Sequence, residues 1–575
     1  MKKMTRTPNV WTPHHGKDNF ITEYPTCSMF TLIQKVAEKY PNYVALEFQD
    51  KKTTYSEMIS QVELIAKSLL ESGVKKGDYV SVVAPNTPQA LCTVYAINRI
   101  GAIANMIHPL LSVGEIKQLV ENVESVAIIT FDMLYPKLAE VEWETSRKPL
   151  MILARIADAL PFYLKPLYLM KNKLELTFNP NHEIIYWNDF LKKGKARNEA
   201  LAPDDGNGED VAVIHYSGGT TGLPKGVMLQ NKAFNATTVQ SSEIKPYDVK
   251  DRAGKKVLGL MPVFHGFGLA MCMHMTLAEG GHLCLVPKFD YKACTKLIFK
   301  KKVNHIYAVP ALYEALCRSE EIEKEDLSFI DMVAISGDKC DKKLIDRMNR
   351  YLEKGNSKAR MLEAYGQTES VSGVAINPFF APVEDSCGIP FPDNEIKVVK
   401  VGTHEALPAW EDGEICVVSP TQMLGYYKNE AETAKALQKH EDGKVWLHTG
   451  DIGCMDENGY LYFRQRYSRM LIVAGNNVYP TQIENVINKL NNVNTSCVIG
   501  VSSRAGTQKI IAVVQPTSMD VDLDALRKEI FEVCEKNVAD YAMPQEIAFR
   551  ESMPLTAMGK VSFKKLTEEM EGKKG

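Results

Sequence analysis

The sequence predicts an α/β protein: a large N-terminal domain of layered α/β subdomains with a β-rich subdomain, followed by a small α+β C-terminal domain. Three observations predict it. Short apolar runs alternate with helical patterns over the first two thirds of the chain. After about Glu384 the runs shorten and are split by Gly and Asp turns. At 575 residues the chain is too long for one core and calls for about two to four domains.

In order along the chain, Met29 to Ser72 mixes helical patterning with a short apolar run, Val44-Ala-Leu-Glu-Phe. Tyr79-Val-Ser-Val-Val-Ala-Pro reads as a buried strand. The helix after it carries Ala90, Leu91, Val94, Tyr95 and Ile97 to the core. Val126-Ala-Ile-Ile-Thr, Val211-Ala-Val-Ile-His and Met332-Val-Ala-Ile-Ser are further buried strands that end near small or polar residues, where binding loops form. Ile396-Lys-Val-Val, Gly413-Glu-Ile-Cys-Val-Val and Tyr460-Leu-Tyr-Phe build the β-rich part. Beyond Tyr467 a βαβ-like block has strands near Ser496–Ile499 and Ile510–Val514, so the main boundary is set between domains 1–466 and 467–575. The last residues, 564–575, read as a solvated charged end.

Composition narrows the function. A net charge of −3 gives no reason to expect nucleic-acid binding, and 45% hydrophobic with 24% charged residues is ordinary for a globular chain. Twelve cysteines stand singly with no Cys-x-x-Cys pair, which argues against zinc or redox motifs and for a reducing, cytoplasmic setting. No signal-peptide pattern opens the sequence. Val257 to Ala278 carries no charge apart from His265 and His274, but Pro262, Gly266 and Gly268 interrupt it. A buried strand and a core helix are expected there, not a membrane span.

Tyr216-Ser-Gly-Gly-Thr-Thr-Gly-Leu-Pro-Lys225-Gly is a phosphate-handling loop. It fails the Walker template, because Lys225 follows Pro224 and precedes Gly226, and it lacks Gly-x-Gly-x-x-Gly. Ser217, Thr220 and Thr221 remain as hydroxyl donors among Gly218, Gly219 and Gly222, whose backbone N–H groups can approach a polyphosphate. Glu369, in Glu363-Ala-Tyr-Gly-Gln-Thr-Glu-Ser, is a hard oxygen ligand suited to Mg²⁺. Taken alone, that Thr-Glu pair reads as a helix start and Gly559-Lys560 as a surface turn.

Together with His448-Thr-Gly-Asp451-Ile-Gly, Arg466 before Ala474-Gly-Asn-Asn-Val-Tyr-Pro, and Gly559-Lys560, these stretches resemble the adenylate-forming (AMP-binding) superfamily. The likeness is to its acyl-CoA synthetase branch, in the family's order over roughly residues 30–567. The resemblance implies ATP and CoA as co-substrates, Mg²⁺ held by Glu369 and Thr220, and a mobile small domain carrying a catalytic lysine, Lys560. It places Ser336-Gly337-Asp338 and Tyr365-Gly366 at adenine, Thr368 and Lys225 at the nucleotide, Asp451 at the ribose and Arg466 at ribose or phosphate. His265 and Phe267 would border the acyl pocket, Gly475 and Asn476 the CoA channel. A lysine between carboxylate and ATP would stabilise charge developing in adenylation.

Two departures stand out. Ser468 takes the hinge position, where a small residue absorbs backbone rotation readily, and Gln465 replaces a glycine. Leu555 stands where relatives have a basic residue. Met151 to Lys171 is apolar, aromatic and basic, similar to an insert of bacterial long-chain fatty acyl-CoA synthetases. It reads either as a lipid-surface element with Arg155, Lys165 and Lys171 towards anionic lipid, or as a core helix pair broken at Pro161 and Pro166. Phe264, Phe267, Leu269 and Met271 suggest an apolar acyl pocket. The resulting expectation is a medium- or long-chain fatty acid CoA ligase. Aryl- or sterol-acid ligases, a carrier-protein ligase, a non-catalytic nucleotide-binding scaffold and a transporter coupled to activation are the rivals.

Overall fold

The computed structural model describes residues 12–15, 23–145, 148–171, 178–217, 224–244, 252–287, 290–337, 342–371, 373–469, 471–473, 476–502, 508–555 and 561–572. By compactness the chain divides into two units. The first comprises Met1–Glu395, Val417–Leu447 and Asn458–Tyr460; the second comprises Ile396–Cys416, His448–Glu457 and Leu461–Gly575. The strands around 396–416 and 448–457 therefore group with the C-terminal residues, and the second unit begins well before residue 467. Sheet pairing, which ignores chain order, draws them there: Asp451 lies opposite Arg466 on antiparallel strands Val445–Met455 and Leu461–Arg466.

The first unit holds two large sheets. One has eight strands, with Val211–Ser217, Ile103–Met106, Tyr79–Val83, Ala127–Phe131, Leu150–Ala154 and Ile184–Tyr186 adjacent and parallel. The other has nine, with a parallel centre formed by Met361–Tyr365, Met332–Ile335, His305–Ala308, Lys256–Gly259 and His282–Leu285. Their near-continuous apolar sequences follow from burial on both faces. Helix Pro88–Arg99 starts on a Thr87 cap with Pro88 in its first turn, and its Ala90, Leu91, Val94, Tyr95 and Ile97 are buried as expected.

The expected core helix after Lys256–Gly259 takes an unexpected form. Phe267–His274 is a π-helix, continued by α-helix Met275–Ala278, and the Met275 N–H donates to the carbonyl of Ala270, five residues back. Hydrophobic periodicity cannot separate π from α winding in a segment buried all round, and every residue from 267 to 274 is buried. The stretch Met151–Lys171 also splits. Its first residues belong to the wholly buried strand Leu150–Ala154 and fit neither sequence reading, whereas residues 156–171 contain two short helices.

The second unit carries, besides the antiparallel strands, a three-stranded sheet of Val493–Ser502, Gln508–Pro516 and Glu546–Phe549, with helices Pro480–Ile487, Leu523–Asn537 and Phe563–Gly572. Val498, Ile510, Ala512, Val514, Ile483, Leu526 and Ile530 make its core.

Candidate active site

In the first unit, strand Val211–Ser217 pairs antiparallel with Lys225–Gln230 so that Ser217 faces Lys225. Gly218, Gly219, Thr220, Thr221 and Gly222, expected from the sequence to handle phosphate, come between them in the chain and lie outside the described residues. The Ser217 hydroxyl oxygen is buried and makes no hydrogen bond among the described residues, and so does the Gln367 side-chain nitrogen. Buried polar atoms without partners are uncommon, and a bound polar ligand would satisfy them.

Glu369 sits in a short 3₁₀ turn, Thr368–Ser370, and is buried together with Thr368. The Tyr426 hydroxyl donates to its carboxylate at 2.9 Å, and its backbone carbonyl accepts from the Met423 N–H at 2.7 Å. Lys225 lies over the same Tyr426 ring, 4.4 Å from the centroid, and pairs with Glu432 at 3.2 Å. Tyr426 thus joins the loop lysine to the motif glutamate. Sequence reasoning missed it, because a Gly-Tyr-Tyr run carries no chemical signature of its own.

The turn after Glu369 is strained. Val371 has φ +61°, a left-handed conformation that a β-branched residue rarely adopts. Gly266 packs on its carbonyl: a Cβ there would overlap the Val371 oxygen, and one at Gly268 would overlap the Pro262 oxygen. The glycines of Pro262-Val-Phe-His-Gly-Phe-Gly are therefore required by close backbone approach. Between them, His265 accepts from the Phe267 N–H through Nδ1 at 3.2 Å, which leaves its proton on Nε2.

Ser336 and Gly337, the latter at φ +86°, follow strand Met332–Ile335, and Tyr365 and Gly366 close the neighbouring Met361–Tyr365. Asp338 lies outside the described residues. Beside these strand ends is an apolar cavity lined by Phe267, Met271, Met275, Met332, Ser336 and Ala364 among others, closed down to about 20 Å³. Phe267 is part of its lining; His265 lies two residues before it.

Two histidines near the cavity wall are held neutral. His274 is fully buried between the Tyr95 hydroxyl and the Asn235 side-chain oxygen, each at 3.0 Å, and burial lowers its pKa to about 3. Burial, then the electrostatic influence of neighbouring His265, brings His215 to about 3. The unfolded chain protonates such a group below its ordinary 6.5, so this share of stability is complete above that pH. It declines by up to about 1.4 kcal/mol per pH unit as the pH falls towards 3. Urea denaturation of His274→Gln should show a flatter loss between neutral and acid pH than the parent.

In the second unit, Asp451 is buried and pairs with the Arg466 guanidinium at 2.9 Å, while Arg466 is itself half exposed. The Thr449 hydroxyl accepts from the Asp451 N–H, and Glu414 accepts from the Gly450 N–H and holds His448 at 2.9 Å. This places Asp451 rigidly. Gln465 is buried, its side-chain oxygen accepting from the Thr481 N–H at the start of helix Pro480–Ile487. That accounts for an amide where a glycine is more usual. Arg469 ion-pairs with Glu484 and lies over the Phe563 ring. The side chains of Ser468 and Asn476, and the whole of Gly475 and Lys560, lie outside the described residues. The residues flanking Lys560 are held together, Leu555 bridging Val561 and the Ser562 N–H donating to Pro554.

The AMP-binding enzyme family model matches residues 33–427, and the model of the AMP-binding enzyme C-terminal domain matches 482–560. The chain is similar to the long-chain-fatty-acid–CoA ligase of Bacillus subtilis (31% identity, 95% of each chain). It is also similar to that of Salmonella typhimurium (29%, 95% of each). The fold matches the crystal structure of an anthranilate CoA ligase in complex with anthranoyl-AMP, with a TM-score of 0.78 at 21% identity over 95% of this chain and 97% of that one. With the AMP-binding enzyme model matched over more than half of the chain and the long-chain-fatty-acid–CoA ligase relative aligned along nearly all of it, the chain belongs to the AMP-binding enzyme family and is an acid–thiol ligase of that family.

Proposed function

We propose that this ligase activates a medium- or long-chain fatty acid through an acyl-adenylate and then forms the CoA thioester, releasing AMP and pyrophosphate. The observation that carries the acid class is the cavity beside Ser336 and Ala364, whose lining is almost wholly apolar and rich in methionine. Methionine is unbranched and repacks easily, so a cavity closed to about the size of one water can open around an alkyl chain.

In the first half-reaction the carboxylate oxygen attacks the α-phosphorus of ATP and the bond to pyrophosphate breaks. Ser217, Lys225 and the loop 218–222 hold the phosphates in this reading. Ser336 to Asp338 and Tyr365 with Gly366 hold adenine, and Asp451 accepts from the ribose hydroxyls beside Arg466. The buried carboxylate of Glu369 is a hard donor that fits Mg²⁺, with Thr220 as a second oxygen; the ion would neutralise phosphate charge. Tyr426 orients Glu369 through its hydroxyl. Lys560 supplies positive charge between the two anionic reactants. In the second half-reaction the small domain turns at Ser468, Lys560 withdraws, and the CoA thiol attacks the acyl carbon past Gly475 and Asn476, expelling AMP.

The second reading is an aryl acid, favoured by Phe267, Tyr307 and Phe391 on the same wall. Pyrophosphate release over a series of saturated and aromatic acids, with and without CoA, separates the two. Saturated acids should be preferred, and a flat response to chain length would sink the fatty-acid reading. Met271→Ala should then move the preference to longer chains, raising the long-to-short ratio of kcat/KM on the order of tenfold.

No described helix is long and apolar enough to cross a membrane. The unpaired cysteines suit a reducing, cytoplasmic setting. A fatty acid substrate also gives the enzyme reason to meet a membrane surface peripherally.

A further inference from the structure

We infer that residues 156–171 form a docking surface for a phospholipid bilayer, held chiefly by insertion of apolar side chains. The chain leaves the buried strand Leu150–Ala154, and a short helix, Ile156–Ala159, turns Ala157, Ala159 and Leu160 inward. A turn follows, in which Leu164 and Lys165 both donate to the Pro161 carbonyl. It pushes Phe162 and Tyr163 outward as an edge-to-face pair 5.6 Å apart. Helix Lys165–Lys171 comes next, with Tyr168 half-buried beneath it.

Phe162 is 87% exposed and Met170 74%, with Tyr163, Leu167 and Leu169 also exposed between and beside them. Among the described residues no other stretch of this length gathers so many exposed large apolar side chains. Leu167 and Met170, three residues apart, share one helix face. A concentration of exposed apolar side chains of this kind marks an interaction site.

Charge and shape choose the occupant. Arg155 and Lys165 are each 42% exposed, whereas the carboxylates that pair with them, Asp132 at 3.6 Å and Asp158 at 3.1 Å, are 20% and 11% exposed. Each pair thus turns its cation, rather than its carboxylate, towards solvent, which suits the phosphate layer of a bilayer. Protruding aromatic side chains on the turn before a short helix suit insertion among headgroups better than mating with a rigid protein face. Because both cations have internal partners, salt should weaken attachment only a few-fold.

The use of such a surface, bringing the acyl cavity to where its acid is dissolved, rests on the fatty-acid reading. Its existence is tested without acid or nucleotide. The full-length protein is floated with vesicles of phosphatidylcholine and phosphatidylglycerol, alongside the triple variant Phe162→Ser, Leu167→Ser, Met170→Ser and the single variant Phe162→Ser. The parent should co-float, the triple variant should lose at least tenfold in vesicle affinity, and the single variant several-fold. Unchanged melting temperature and pyrophosphate release with a water-soluble acid would show that both variants are folded. A parent that stays behind, or variants that float as well as it does, would overturn the inference. So would a dimer seen by sedimentation that the triple variant abolishes with vesicle binding unaltered, which would assign the patch to a second copy.

Discussion

Replacing Lys560 with alanine should cut acid-dependent pyrophosphate release by about 10²–10³-fold, the loss expected when a single preorganised charge is removed from a transition state. The melting temperature should not move, because the chain on either side of Lys560 is held by contacts of Leu555, Val561, Pro554 and Ser562. Two anions must approach in adenylation, and negative charge spreads over the bridging oxygens as pyrophosphate departs. An ammonium group helps only while that charge exists, so kcat should fall far more than KM for ATP rises. Thioester formation from a supplied acyl-adenylate and CoA contains no such charge build-up and should be nearly unaffected. Stopped-flow measurement of the two half-reactions decides. Equal loss in both would give Lys560 a structural or CoA-binding part instead, and undiminished adenylate synthesis would remove it from the mechanism.

The two sheets were legible because strands such as Tyr79–Val83 and Met332–Ile335 are short apolar runs with a polar or small residue at the end, a local signal. The positions of Ser217 and Ser336 at strand ends follow from the same signal, whereas the strand that ends at Tyr365 is not among those read from the sequence. What stayed hidden is long-range. Tyr426 meets Glu369 from 57 residues away. Gly266 was noticed as an interruption of an apolar run, but its need for close approach appears only when the turn at Val371 is seen across it. The π winding of Phe267–His274 and the grouping of residues 396–416 with the C-terminal unit are likewise set by packing. A one-dimensional pattern does not record either of them.

That packing makes Gly266→Ala the second large effect. The new Cβ would overlap the carbonyl oxygen of Val371, a backbone atom that cannot swing aside as a side chain would. Val371 already holds a disfavoured positive φ, so the turn has little freedom left to absorb the displacement. Overpacking of this kind costs about 1–3 kcal/mol or somewhat more. The shift should not stay local, because Val371 is two residues from Glu369, whose carboxylate the Tyr426 hydroxyl holds at 2.9 Å. A displacement near 1 Å at a positioned catalytic group costs on the order of 10²-fold in rate. The variant should therefore lose activity well beyond its loss of stability, with kcat reduced at temperatures where circular dichroism shows it folded. Gly114→Ala is the control: nothing lies within 4 Å of its added Cβ, and it sits in helix Val113–Asn122. There alanine should stabilise by about 0.5–1 kcal/mol with kcat unchanged. Equal kinetic behaviour of the two variants would show that the Gly266–Val371 contact does not position Glu369.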